Sequence, residues 1–156
     1  MSIMQGKIAP LSLSVKIITA MVMIVAAGFI TATFYNKELL MPAGLLTLFI
    51  LICYLIAPVR YEISNAKLII YSRIRKKEFS GVKRISKLTS PISFGIRLWG
   101  NGGLFAATGI YWNKKYGRFR AYLTSTNQKD IVMVETSQTK IFISPDNPAK
   151  FIEFSK

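Results

Sequence analysis

Along the chain the apolar positions change their spacing twice. Ile17 to Tyr35 is a run of 19 residues without a charge, and Leu39 to Val59 is a second of 21. At about 1.5 Å of rise per residue, each is long enough as a helix to cross a hydrocarbon core of about 30 Å. Only Asn36, Lys37 and Glu38 separate them. The pattern therefore predicts a tight helical hairpin over 17–35 and 39–59, preceded by a short leader over 1–16. From Val59 the period drops to two: Val59, Tyr61 and Ile63 alternate with Arg60, Glu62 and Ser64. Such alternation predicts half-buried strands.

Asn65-Ala66 reads as a turn, Lys67–Ile74 as a second strand, and Arg75–Phe79 as its continuation or the start of a third. Further strands are predicted at Thr108–Asn113, Arg118–Thr124, Ile131–Glu135 and Lys140–Ser144, separated by turn-rich segments. Phe119, Ala121 and Leu123 share one face of their strand, and Arg118, Arg120 and Tyr122 the other. Near the end, Asn147 can cap a short helix whose first position suits Pro148. Phe151, Ile152 and Phe154 give that helix an apolar face. The expected core includes Phe119, Leu123, Ile141, Ile143 and Phe151. The fold class is α+β or mainly β: a two-helix transmembrane hairpin over 17–59, then a small antiparallel barrel or sandwich over 60–156.

The first apolar run exceeds the usual 7–15 residues of a signal peptide and is followed at once by a second span. Ala26, Ala27 and Gly28, with Ala43 and Gly44, look like helix-packing residues. The single cysteine, Cys53, lies within the second run and excludes an internal disulfide. Charge adds the orientation. Of 21 Lys and Arg against 7 Asp and Glu, 18 and 6 fall from Arg60 onward. Lys7 and Lys16 flank the first span, and six basic residues from Arg60 to Lys77 flank the second, so both termini are expected to be cytoplasmic.

The densest chemical feature is Arg73, Arg75, Lys76, Lys77, Lys83, Arg84 and Lys87, with Glu78 the only acid among them. Three readings stay open for this cluster: contact with anionic headgroups, a topology signal alone, or an acidic protein partner. Trp112 and Tyr116, interleaved with Lys114, Lys115, Arg118 and Arg120, are candidates for the interfacial aromatic belt, in preference to stacking on nucleic acid. Gly100-Asn101-Gly102-Gly103 lacks the third glycine of a dinucleotide fingerprint, since Phe105 stands there, and reads as a tight turn beside a packed Trp99. Histidine is absent, and the carboxylates of the soluble part are scattered. No catalytic residue, metal site or cofactor is expected, and the chain is read as not an enzyme.

Arg97-Leu98-Trp99-Gly100-Asn101-Gly102-Gly103, Gly109-Ile110-Tyr111, Arg120-Ala121-Tyr122-Leu123-Thr124 and Ile143-Ser144-Pro145-Asp146-Asn147-Pro148 with Phe151-Ile152 occur in an order that resembles the bacterial pleckstrin-homology-like domains that follow membrane spans. The resemblance covers roughly Arg60 to Ile152. It implies a strongly bent sheet or partly open barrel capped by one helix, binding or scaffolding rather than catalysis, and the bacterial inner membrane as location. Phosphoinositide-binding members of the wider superfamily use basic residues around the first strand-to-strand loop. Here that loop is Asn65-Ala66, flanked by Lys67 alone, so that specificity is not carried over. The expected function is a membrane-anchored binding or scaffolding module whose partner is anionic lipid or a membrane protein. The alternative is an accessory subunit of a larger membrane complex, with the hairpin as the functional element.

Overall fold

The computed structural model describes residues 3–88 and 95–153. Two helices form the hairpin: α1 over Leu13–Ala32 and α2 over Leu40–Ile56. A 3₁₀ turn, Lys37–Leu39, joins them, and the Asn36 side chain accepts the Glu38 N–H at 2.9 Å. Leu13–Ala32 and Lys37–Ile56 are each 20 residues long and apolar enough to cross a membrane, and few of their residues are buried within the molecule. Their large side chains, such as Met21, Ile24, Leu45 and Phe49, point outward. The Thr31 and Thr47 hydroxyls donate to the carbonyls of Ala27 and Ala43 one turn back (2.9 and 2.8 Å). Those bonds satisfy them without water. Ala26 and Ala43 are buried, while Ala27, Gly28 and Gly44 are exposed.

Both helices are displaced from the apolar runs. α1 starts four residues early, because the Ser12 carbonyl already accepts the Lys16 N–H. α2 stops at Ile56, since Pro58 lacks an N–H and opens a strand. Its last carbonyls are taken by side chains from beyond the hairpin. Ser72 Oγ donates to Ile56 O at 2.9 Å, and the Arg73 guanidinium donates to Tyr54 O at 2.9 Å. A cation at this end also opposes the negative pole of the helix dipole.

The expected leader contains a strand. β1 (Ile3–Lys7) pairs antiparallel with β2 (Pro58–Ser64), in register from Ile3 opposite Ser64 to Lys7 opposite Arg60. The hairpin is thus inserted between two neighbouring strands of one ladder. β3 (Lys67–Ser72) and β4 (Lys76–Ser80) complete a sheet of order β1-β2-β3-β4. Asn65 and Ala66, at φ 49° and 56°, make the two-residue turn from β2 to β3.

After Gly81 the chain enters a second sheet of order β5-β9-β10-β8-β7-β6. Its strands are β5 (Val82–Lys87), β6 (Ile96–Gly102), β7 (Ala107–Asn113), β8 (Gly117–Leu123), β9 (Val132–Thr136) and β10 (Lys140–Ile143). The sheet is not wholly antiparallel as expected. Thr124–Ile131 carries the chain past the sheet end, the β9–β10 hairpin folds back, and β10 lies parallel to β8. Two helices, two sheets and the closing helix α3 (Pro148–Glu153) are consistent with a pleckstrin-homology-like fold. Asn147 Oδ1 accepts the Lys150 N–H at 3.1 Å at the start of α3; Phe154 lies outside the described residues.

All five expected core residues are buried, in two layers rather than one. Ile141, Ile143 and Phe151 pack with Tyr122, Val132 and Val134 against Tyr61, Ile63, Leu68 and Ile70 of the first sheet. Phe119, Leu123 and Phe142 belong to a second layer with Tyr111, Ala121 and Ile131. Successive residues of β10 alternate between the layers, because neighbouring side chains on a strand point to opposite faces.

Candidate functional site

Strand register fixes the height of the β-strand residues above the hairpin. The near end is marked by Pro58, by Ser72 and Arg73 on the last turn of α2, and by the β6–β7 loop. In that loop the Phe105 N–H donates to Thr19 Oγ1 at 3.0 Å, and the Phe105 ring meets the Tyr54 ring edge-on at 5.3 Å. Ala9 N donates to Ser144 O and Ser12 N to Thr124 O, which brings the ends of β10 and β8 to the same level. The far end is the Asn65-Ala66 turn, where the Val82 N–H donates to Ala66 O at 2.8 Å. Six steps of β2 at about 3.3 Å separate these ends by roughly 20 Å.

The seven cluster cations do not form one surface. Arg73 and Arg75 lie at the near end; the Arg73 guanidinium covers the Tyr54 ring at 3.8 Å. Lys76, also near, pairs with Glu78 at 3.0 Å. Hydrogen bonding followed by charge attraction raises the Lys76 pKa and lowers that of Glu78. Lys83 and Arg84 open β5 at the far end, and β5 returns to Lys87 opposite Val132, level with Ile143 at the near end. Lys77 points inward. The same ruler puts Trp112 and Tyr116 at the far end of β7–β8. Tyr116 packs there on Phe142 and Phe119, with ring centres 5.2 and 6.4 Å apart.

What the sheets do bring together is a cleft of about 160 Å³. β3, the β3–β4 turn and edge strand β4 supply Ser72, Arg75 and Lys77 respectively; β8 supplies Arg120 and Tyr122. Ile56, the last residue of α2, lines its near end, and Trp99 of β6, opposite Ile110 midway along β7, lines it as well. Lys77 Nζ donates to the Tyr122 hydroxyl at 3.0 Å, and the Arg120 guanidinium lies 5.5 Å from the Phe79 ring centre. No carboxylate lines this cleft. The floor is backbone where Gly100 faces Gly109 across β6 and β7. A Cβ on Gly100 would strike the Thr108 carbonyl, and one on Gly109 the Trp99 carbonyl.

This corrects the reading of Trp99 to Gly103. Arg97 to Gly102 belong to β6, not to a tight turn, and Trp99 is 77% exposed rather than packed. Sequence reasoning noted Arg120 and Trp99 without joining them to Lys77, because the three come from strands distant along the chain. Among the described residues no group of three or more His, Cys, Asp or Glu is placed to hold a metal. The arrangement is suited to holding an anion.

The family model for the bacterial PH domain matches residues 59–156. No curated protein and no solved structure matches the chain.

Proposed function

We propose a function on the premise that this chain belongs to the bacterial PH domain family, whose model covers well over half of it: a membrane-anchored, non-enzymatic binding module of the bacterial inner membrane. Domains of this family are generally binding modules without catalysis. The anchor is the hairpin, with both helices crossing, Asn36–Glu38 outside and both termini cytoplasmic. One observation carries this reading. β1 and β2 flank the hairpin in sequence yet pair with each other, which supports placing both ends of the hairpin on one side of the membrane.

The cations that meet the anionic leaflet are then Arg73, Arg75 and Lys87, with Lys76 already paired to Glu78. At about 1 kcal/mol for each cation near such a surface, three give about 3 kcal/mol, roughly a hundredfold bias toward the docked orientation. Lys83 and Arg84 sit roughly 20 Å away, beyond two Debye lengths of about 8 Å, and contribute little. Trp99 and Phe105, not Trp112 and Tyr116, take the interfacial aromatic role.

The test uses the full chain in nanodiscs and lysine acetylation read by mass spectrometry. Lys87 should be protected by phosphatidylglycerol but not by phosphatidylcholine, and released toward 1 M salt; Lys83, Lys114 and Lys115 should react equally in all conditions. Equal reactivity of Lys87 in both lipids refutes the docking. Export of a reporter placed after Lys156 refutes the topology. A second reading, an accessory subunit of a membrane complex, is favoured by the apolar groove along α2 lined by Ala43, Gly44 and Thr47. It predicts co-purification of stoichiometric foreign subunits in mild detergent.

A further inference from the structure

The geometry points to the cleft between the sheets as a specific site for the phosphate headgroup of a membrane lipid, which we propose on the basis of the membrane-anchored reading above. Three cations, Arg75, Lys77 and Arg120, border a space with room for several water molecules. The two salt bridges formed among the described residues involve none of the three. Lys77 is half-buried, and its ammonium is held by a neutral phenol rather than by a carboxylate. Because Lys77 is the donor in that bond, the Tyr122 hydroxyl keeps its own proton for an incoming oxygen. Arg75 is exposed and Lys77 and Arg120 are half-buried; grouping such cations without a counter-charge costs mutual repulsion, and an anion with several acceptor oxygens relieves it.

Position selects the source of the anion. Ile56 ends the second span and lies in the cleft wall, so the opening is level with the layer where headgroups begin. Trp99, large and exposed, stands beside it with an apolar face for the glycerol and first methylenes of the lipid, as aromatic rings do at bilayer interfaces. The paired glycines Gly100 and Gly109 leave the floor free of side chains. The site lies apart from the turn between β2 and β3, which is at the far end.

The chain has two tryptophans, so Trp112→Phe leaves Trp99 as the only one, in the cleft wall. That full-length variant, in phosphatidylcholine nanodiscs, is titrated with dihexanoyl-phosphatidic acid, dihexanoyl-phosphatidylcholine and inorganic phosphate while tryptophan emission is followed. A saturable change is expected with the phosphatidic acid, a weaker one with phosphate and none with the choline lipid. Lys77→Gln and Arg120→Gln should each weaken binding about tenfold or more, as loss of a hydrogen bond to a charged group does. Lys77→Arg should retain it, and Lys83→Gln at the far end should leave it unchanged. Circular dichroism checks that each variant is folded. No saturable response, or one indifferent to Lys77→Gln and Arg120→Gln, overturns the site. Phosphate binding as tightly as the lipid overturns the lipid assignment. Lysine footprinting in anionic nanodiscs reads the outer cations independently: docking retained with an empty cleft defeats only this inference, and a filled cleft without docking defeats only the earlier one.

Discussion

The Arg73 guanidinium lies 3.8 Å from the centre of the Tyr54 ring and donates to the Tyr54 carbonyl at 2.9 Å. One side chain of the β-domain thus closes the end of the second apolar helix twice over. Arg73→Ala should loosen that junction by about 1 kcal/mol, the scale of an exposed cation–π contact. Hydrogen exchange of the chain in nanodiscs should rise several-fold across 72–76 and around Phe105, leaving β8–β10 unchanged. Arg73→Lys should fall between, since an ammonium has no planar fork to lay on the ring. Unaltered exchange in the alanine variant would show that the contact holds nothing.

Gly6 sits under Phe151: a Cβ there would lie 3.1 Å from the ring. Gly6→Val should therefore detach β1, raising exchange at Gly6 and Lys7 and lowering the melting midpoint by several degrees. Phe151→Ala removes a fully buried ring and should cost about 3–5 kcal/mol. A Gly6→Val protein that keeps β1 protected would mean the strand tolerates the clash.

Joining Lys7 to Arg60 by Asn-Gly, in place of the hairpin, should give a water-soluble domain with the β1–β2 ladder intact, because the two residues already face each other across it. A fragment starting at Arg60 lacks β1 and bares the edge of β2. It should melt lower and aggregate more than the joined form. Equal melting of the two would show that β1 adds nothing to stability.

Burial holds the Tyr61 phenol well above the usual tyrosine range, with hydrogen bonding to Ser144 pulling the other way; its hydroxyl donates to Tyr122 O at 2.6 Å. The folded state therefore keeps a proton that the unfolded chain loses above about pH 10. The stability from this protonated group is complete below that pH and falls as pH climbs beyond it. Tyr61→Phe should lower stability by about 1 kcal/mol at neutral pH and flatten the alkaline decline. Tyr111, also raised by burial, leaves a residual slope. Denaturant melts of the detergent-solubilised chain at pH 8 and 11 make the comparison; parallel declines in wild type and variant would contradict it.

The hairpin, β2, β3, β7 to β10 and α3 were legible because each carries its own periodicity or cap. β1 was not: Ile3–Lys7 has no alternation, and its partner lies beyond both helices. β6 was hidden by glycines that read as turn formers, whereas Gly100 and Gly109 are there so that two backbones can approach. Among the cations, spacing along the chain grouped Lys83 and Arg84 with Arg73 and Arg75. Between them β4 carries the chain from the near end to the far end, so they stand at opposite ends of the domain. Arg120 reaches Lys77 only through a pairing between sheets, which no local window contains.

The insertion of the hairpin between β1 and β2 also sets an order of events during synthesis. β1 leaves the ribosome first and has no partner until both helices have been made. Closing a flexible loop of roughly fifty residues would cost about 3.5 kcal/mol of chain entropy. In the proposed topology a helical hairpin threaded through the bilayer brings the two ends together for the strands. In that topology a chain whose β1 and β2 lie on opposite sides of the membrane cannot zip the ladder. One whose second helix fails to cross keeps its β1 on the wrong side and presents the bare edge of β2, which cellular quality control can recognise. In that topology the strand Ile3–Lys7 acts as a late seal on correct membrane insertion.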